Sequence, residues 1–191
     1  MKKFKVFIRS AYRSTFFHLF PLFIFLSVLS CKRSYNTQHP AADTADIERL
    51  RKEVLLRVNQ ELVEEEMTEI DAFVARNGWN METTESGLRY MIYGSGRGEK
   101  VSTGRVVTLE YSLSLLDGTN CYSSAQFGQK SFRVGQGGVE AGLEEGILLM
   151  QAGDKARFIM PPHLAHGLVG DGDCIPRRAI ILYDVELVSL R

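Results

Sequence analysis

Two histidines three residues apart could bind a metal ion. His163 and His166 lie in the segment Pro-Pro-His-Leu-Ala-His-Gly, which is typical of a loop. A zinc site needs three or four ligands, and no third ligand lies within sequence reach of this pair. The sequence therefore predicts no metal site, and a metal-dependent hydrolase stays open only as a third alternative.

A nucleophilic side chain next to a base could catalyse a reaction through a covalent intermediate. Cys121 or Ser123 could pair with His166, but no Gly-x-Ser-x-Gly elbow supports such a pair. No GxGxxG links a strand to a helix, and the sequence has no GxxxxGK[ST] loop, CxxC pair or HExxH motif. The motifs therefore predict neither covalent catalysis nor a bound cofactor.

The first thirty residues have the profile of an export signal. A basic stretch, residues 2–13, precedes an apolar run, residues 16–29, which includes a proline. A membrane-spanning helix needs about 20 apolar residues, and this run is shorter. We therefore expect residues 1–30 to be a signal peptide.

The residues Val28-Leu29-Ser30-Cys31 resemble the lipobox of bacterial lipoproteins. This resemblance implies that Cys31 is the mature N-terminus and carries lipid, and that residues 31–42 form a flexible lipidated tether. A plain secretory signal with an incidental cysteine is the alternative. The expected location is the cell envelope, where the lipid would anchor the chain to a membrane, facing the periplasm or the surface.

Charge argues against nucleic acid as a partner. The chain has 23 Lys and Arg and 23 Asp and Glu, and five of the basic residues lie in residues 1–30, which contain no acidic residue. The remainder has 18 positive and 23 negative residues, so its net charge is −5. A mildly acidic protein has no electrostatic footprint for nucleic acid.

Residues 43–78 are predicted to form one long amphipathic helix. Apolar residues recur every three or four positions, at Ile47, Leu50, Val54, Val58, Leu62, Met67, Ile70 and Val74. Asp43 or Thr44 can cap its start, and Gly78 supplies its stop. The apolar stripe needs a cover, which could be a second copy of the chain, another partner or the domain that follows.

Residues 79–191 are predicted to form a compact β-rich domain. In residues 105–116 apolar and polar residues alternate, which is typical of a strand with one buried face. Asp117-Gly118 then indicates a hairpin turn. Further strands are expected at 87–93, 130–134, 155–160 and 179–190, and a short helix between 139 and 150. The predicted class is α+β, with an antiparallel sheet and one short helix.

The order of these segments resembles the FKBP-type peptidyl-prolyl cis/trans isomerases. The matching segments are 107–111, Leu116-Asp117-Gly118, Ser123-Ser124, Phe132-Arg133-Val134-Gly135, 139–146, 150–154, 161–167, Ile175-Pro176 and 183–187. The resemblance implies a curved antiparallel sheet wrapped round one short helix, with an apolar pocket between them. In this chain the long N-terminal helix precedes that domain.

The implied activity is isomerisation of X-Pro bonds without a cofactor. Amide resonance sets a rotation barrier of about 18–20 kcal/mol. A dry pocket can bind the twisted amide, whose dipole is reduced, more tightly than the planar amide. The implied substrates are proline-containing polypeptide clients.

The family's pocket positions correspond to particular residues of this chain. The catalytic positions are Tyr111, His166 and Tyr183, and the substrate-binding positions are Cys121, Tyr122, Val139, Glu140, Leu143 and Ile175. Several of them depart from the family. Leu143 replaces a tryptophan, His166 a tyrosine and Tyr183 a phenylalanine. Cys121-Tyr122 replace a Phe-Asp pair, and Glu140 replaces an aliphatic residue.

The same resemblance brings Cys121 and Cys174 to the mouth of the pocket. An exported protein can keep a disulfide, so pairing of the two cysteines is one expectation. Two free, buried cysteines are the other.

The first functional interpretation is an isomerase that assists the folding of exported proteins. The alternative is a catalytically weak FKBP-like module that binds proline-containing segments, or a chaperone, in a cell-envelope assembly. Because Tyr111 and Tyr183 fall on buried strand faces, they could equally be core residues.

Overall fold

A computed structural model describes residues 41–191, with side chains from Thr44 onward. The predicted signal peptide, Cys31 and residues 32–40 of the predicted tether lie outside the described residues. Helix α1 spans Ala41–Asn77, so it begins two residues before the predicted start. Alanines, which have the highest helix propensity, occupy those two positions. The predicted caps Asp43 and Thr44 therefore lie inside the first turn.

In the described part of the chain, seven strands form one antiparallel sheet. They are β1 (Glu82–Thr83), β2 (Arg89–Ile92), β3 (Val106–Leu115), β4 (Asn120–Ser123), β5 (Lys130–Arg133), β6 (Lys155–Met160) and β7 (Ile181–Leu190). The order across the sheet is β1-β2-β6-β7-β3-β4, and β5 also pairs with β3. The remaining helices are α2 (Ser124–Phe127), α3 (Ala141–Leu148) and a 3-10 turn (Pro162–Leu164).

The predicted strands and turn are confirmed. Strand β6 has the predicted bounds, and β2, β3, β5 and β7 lie within the predicted ranges. Asp117-Gly118 connects β3 to β4, and the N–H of Gly118 donates to the carbonyl of Leu115 at 3.0 Å. Gly118 has a φ of 92°, a conformation that favours glycine.

The core lies between the sheet and α3. Leu143 and Ile147 of α3 are fully buried, and they belong to one apolar cluster with the inward residues of β3, β6 and β7. Along β7, the alternate residues Ile181, Tyr183, Val185 and Leu187 are all buried. This arrangement confirms the predicted α+β fold.

The second half of α1 packs on this domain. Ile70 is fully buried and forms a second apolar cluster with Ile159 and Ile180. Asp71 accepts a hydrogen bond from Arg89 at 2.6 Å, and Arg178 pairs with Glu66. The domain that follows therefore covers this half of the stripe, which was one of the predicted possibilities.

The first half of α1 leaves its apolar residues in contact with solvent. Ile47, Leu50 and Val54 are 56%, 62% and 48% exposed. In residues 41–191 there is no helix with the length and hydropathy needed to cross a membrane.

Candidate active site

Two tyrosines on adjacent strands face the same side of the sheet. Tyr111 of β3 pairs with Val185, and Tyr183 of β7 pairs with Leu113. Because residues two apart on a strand share a face, the two tyrosines are diagonal neighbours. Their ring centroids lie 6.0 Å apart. Tyr183 is fully buried, whereas Tyr111 is half-buried.

Lys130, the first residue of β5, points to the same place. The alternation with Phe132, which packs against the core, puts Lys130 on the inner face of β5. Its Nζ donates to Tyr183 Oη at 2.8 Å. It lies 5.2 Å from the ring centroid of Tyr111, a distance at which an ammonium is attracted by a ring face. The Lys130 side chain is 27% exposed.

Glu140 brings a carboxylate to this lysine. It is the N-cap residue of α3, yet its side chain makes no capping hydrogen bond. Its Oε1 accepts a hydrogen bond from Tyr183 Oη at 2.9 Å and lies 3.3 Å from His166 Nε2. Its side chain is only 9% exposed. Lys130, Glu140, His166 and Tyr183 thus form one connected group, here called the polar cluster.

One oxygen of this carboxylate is left over. Glu140 Oε2 is buried and has no hydrogen-bond partner among the described residues. Lys130 Nζ lies 3.6 Å away, close enough for an ion pair but too far for a good hydrogen bond. Because buried polar atoms in proteins almost always have partners, this arrangement calls for a physical explanation.

The tyrosines of the site are neutral. Burial, reinforced by the negative charge of Glu140, raises the pKa of Tyr183 far above its ordinary value. The same two causes raise the pKa of Tyr111. Both phenols therefore keep their protons at neutral pH and can donate hydrogen bonds.

Aliphatic residues support this site from the core. Leu143 is fully buried and Ile175 is 2% exposed, and the partly buried Val139 packs against the same apolar cluster. Leu143, at the predicted floor of the pocket, is entirely covered. It therefore supports the site from beneath, as part of the apolar core.

A loop is fastened beside the site by two links. Tyr122 donates a hydrogen bond to Asp171, and Asp171 Oδ1 accepts the N–H groups of Asp173 and Ile175, each at 2.9 Å. Burial alone would raise the pKa of Asp171, but these hydrogen bonds outweigh it and lower that pKa. The second link is a disulfide between Cys121 and Cys174, whose Cα atoms lie 5.5 Å apart.

The two histidines have separate partners. His163 Nε2 bonds to the carbonyl of Ser86 at 2.8 Å, whereas His166 Nε2 contacts Glu140. Among the residues whose side chains are described, no three His, Cys, Asp or Glu are grouped as metal ligands. His166 is therefore part of the polar cluster.

Comparison with known proteins identifies the family. Residues 97–188 match the family model described as FKBP-type peptidyl-prolyl cis-trans isomerase. FK506-binding protein 2 of Dictyostelium discoideum is 36% identical over 92 residues, which cover 48% of this chain and 69% of that protein. The chain belongs to the FKBP family. The predicted resemblance is thus confirmed.

Other members of the FKBP family are longer than the matched region. The isomerase FkpA of Aeromonas hydrophila is 38% identical over 111 residues, which cover 58% of this chain and 40% of that protein. The chain thus spans less than half the length of this relative. The crystal structure of FkpA from Escherichia coli matches 78% of this chain and 70% of its own, with a TM-score of 0.59 and 26% identity. That of AtFKBP13 matches 59% of this chain and 99% of its own, with a TM-score of 0.56 and 28% identity.

Two residues outside the predicted positions contact residues of the candidate site: Lys130 contacts Tyr183, and Asp171 contacts Tyr122. Lys130 was assigned to a strand but not to the pocket, although its alternation with Phe132 and Val134 indicated an inward side chain. Asp171 gave no such signal, because its partner Tyr122 lies 49 residues away in the sequence. The nine predicted positions otherwise lie in, or directly against, the apolar core and the polar cluster.

A separate groove runs between α1 and two segments of the domain, the end of β3 and the residues before β7. Its volume is about 1130 Å³. Carboxylates and apolar side chains line it together, among them Glu61, Glu65, Glu69, Leu62, Leu116 and Ile180. It does not include Tyr111 or any member of the polar cluster.

Proposed function

We propose that the chain is a peptidyl-prolyl cis/trans isomerase that assists the folding of exported proteins. The observation that supports this most directly is the match of residues 97–188 to the FKBP family model, in a chain where the predicted positions Tyr111 and Tyr183 are neighbours and Tyr183 and His166 both contact Glu140. The activity needs no cofactor, because rotation about the X-Pro bond makes and breaks no covalent bond.

The proposed mechanism is preferential binding of the twisted amide. Val139 and Ile175 would pack against the proline ring and displace water from it. Tyr111, which is partly exposed, would donate a hydrogen bond to a peptide carbonyl. His166 Nε2 would donate to a second carbonyl in place of its 3.3 Å contact with Glu140 Oε1. Tyr183 is fully buried, so we assign it the positioning of Lys130 and Glu140. A site that excludes water and fits the twisted amide lowers the barrier without covalent chemistry.

The test is isomerisation of a short Leu-Pro peptide, followed by NMR exchange, with the full chain expressed in a bacterium and extracted in detergent. We expect clear acceleration, and a loss of about tenfold or more in kcat/KM for Tyr111→Ala, because the ring faces the peptide. Tyr93→Ala is the matched control, since Tyr93 is 47% exposed and lies outside the site. A folded wild-type chain that gives no acceleration would contradict the proposal.

A binding module or chaperone is the second candidate. The buried charge of Glu140 favours it, because a charged floor is less dry than an aliphatic one and would stabilise the twisted amide less. The same experiment separates the two candidates. Binding of the peptide without faster exchange would support the module.

We propose that the chain is a lipoprotein of the cell envelope, anchored through Cys31. The support is the sequence Val28-Leu29-Ser30-Cys31 after a signal-like apolar run. We expect the wild-type chain to fractionate with membranes and Cys31→Ser to be released into the soluble fraction. Mass spectrometry of the N-terminal peptide checks the result, and an unmodified Cys31 would argue for a plain secretory signal.

We further propose that the chain forms a homodimer through residues 43–78, by way of the exposed first half of this helix. The support is the apolar stripe in the first half of α1, where Leu50 and Val54 are 62% and 48% exposed. Light scattering should give twice the protomer mass for the wild type and the protomer mass for Leu50→Lys/Val54→Lys. A wild-type mass equal to one protomer would rule the interface out.

A further inference from the structure

The prolyl nitrogen changes its chemistry during isomerisation. In the planar amide its lone pair is delocalised into the carbonyl, which makes the bond partly double. When the bond is twisted, the lone pair is localised on nitrogen, which becomes a hydrogen-bond acceptor. A donor that reaches this nitrogen therefore binds the transition state and not the ground state, which is the condition for faster catalysis.

Lys130 has N–H donors that are available for such a hydrogen bond. An ammonium carries three N–H donors, and one of them is used by Tyr183 Oη at 2.8 Å. Glu140 Oε2 lies 3.6 Å from Nζ, so it attracts the ammonium but does not accept a hydrogen bond from a second N–H. The Lys130 side chain is 27% exposed. At least one N–H is thus available to a bound peptide.

The surroundings hold this ammonium beside the predicted catalytic tyrosine. The ring centroid of Tyr111 lies 5.2 Å from Nζ, and the Tyr183 hydroxyl lies 2.8 Å from it on another side. These two groups replace part of the water around the amine, and a hydrogen bond is stronger where water is scarce. The position is therefore suited to a charge-assisted bond, which is stronger than a bond between neutral groups.

Glu140 explains why the lysine stays there. Its buried carboxylate offsets the charge of Lys130 and accepts a hydrogen bond from Tyr183, which itself accepts one from Lys130. A short hydrogen bond from Lys130 to Glu140 Oε2 would use a second N–H donor of the ammonium. Because Oε2 has no hydrogen-bond partner, Lys130 is held in place by charge while that donor stays available.

We propose that Lys130 is a further catalytic residue, whose ammonium donates a hydrogen bond to the prolyl nitrogen of the twisted X-Pro bond. The inference rests on the isomerase function proposed above. No proton is transferred and no covalent bond forms or breaks. Glu140 and Tyr183 are positioning residues that act through Lys130.

The experiment compares Lys130→Met and Lys130→Arg in the full chain, with Lys155→Met as the matched control. Lys155 pairs with Glu186 on the sheet, is 48% exposed and lies outside the site. NMR exchange with the Leu-Pro peptide gives kcat and kcat/KM, and a titration gives the peptide Kd. We expect Lys130→Met to lower kcat and kcat/KM alike, by about 10- to 100-fold, with Kd changed less than about threefold. Lys130→Arg should restore most of the rate, and Lys155→Met should match the wild type.

A second variant covers the case in which Lys130→Met leaves Glu140 unpaired and prevents folding. Lys130→Met/Glu140→Leu removes both charges of the buried pair, a change that proteins often tolerate. Its expected loss of rate is the same. If the wild type is active and a folded Lys130→Met or Lys130→Met/Glu140→Leu variant is equally fast, the proposed role of Lys130 is overturned while the isomerase function stands. A loss of rate matched by an equal loss of affinity would also overturn it, whereas an inactive wild type would overturn the isomerase function itself.

Discussion

Removing the Cys121–Cys174 disulfide is expected to lower the free energy of unfolding by about 4 kcal/mol. The two cysteines are 53 residues apart in the sequence, so the bond restricts a long loop in the unfolded chain. Chain-entropy arguments give larger stabilisation for longer loops. Urea denaturation of Cys121→Ala/Cys174→Ala, followed by circular dichroism, measures the change.

Reductant provides the control for the disulfide prediction. Wild type treated with reductant should approach the stability of the double variant, and the double variant itself should not respond. Because the bond fastens the loop that carries Asp171 and Ile175 next to β4, reduction should also weaken binding of the Leu-Pro peptide. A double variant within about 1 kcal/mol of the oxidised wild type would show that the chain-entropy argument overstates the effect.

The strands could be predicted where one face is buried along its length. In β7 the inward residues Ile181, Tyr183 and Val185 alternate with outward ones, and in β6 the predicted bounds equal the observed ones. A two-residue strand such as β1 is too short to show a period. It is specified by pairing with the next strand β2, and β4 is specified by the turn that joins it to β3.

The candidate site could be predicted in part. Tyr111 and Tyr183 were found through the resemblance, and the pairing of β3 with β7 makes them neighbours. Lys130 was missed because a lysine in a strand is usually on the solvent face, and its burial is tolerated only because Glu140 supplies the opposite charge. The Lys130–Glu140 ion pair joins β5 to the start of α3. The residues around Lys130 and those around Glu140 do not indicate that the two side chains lie close together.

The packing of α1 could not be decided from its periodicity. The stripe from Ile47 to Val74 is continuous in sequence, yet Ile70 is fully buried and Ile47 is 56% exposed. The difference depends on Ile159 and Ile180, which form the other side of the contact. An amphipathic pattern specifies which face of a helix is apolar, but not which surface will cover it.

Ile70→Ala is expected to lower the free energy of unfolding by about 2–5 kcal/mol, because the lost methyl and methylene groups leave a cavity against Ile159 and Ile180. Ile47→Ala is the matched control, since it removes the same atoms from the same helix at a position 56% exposed; both variants carry Leu50→Lys/Val54→Lys, so that the proposed dimer does not contribute. Its expected effect is within about 0.5 kcal/mol. Urea denaturation of the two variants checks both values, and equal effects would contradict the docking of α1.

The fluorescence of Trp79 can show whether α1 separates from the sheet before the domain unfolds. It is the only tryptophan in the chain, its ring lies 5.6 Å from that of Phe73 in α1, and Arg157 of β6 stacks over it at 4.6 Å. Its fluorescence therefore reports the contact between α1 and the sheet. If Ile70→Ala loosens that contact first, the fluorescence transition will occur at lower urea than the circular dichroism transition. Coincident transitions would mean that α1 and the sheet unfold as one cooperative unit.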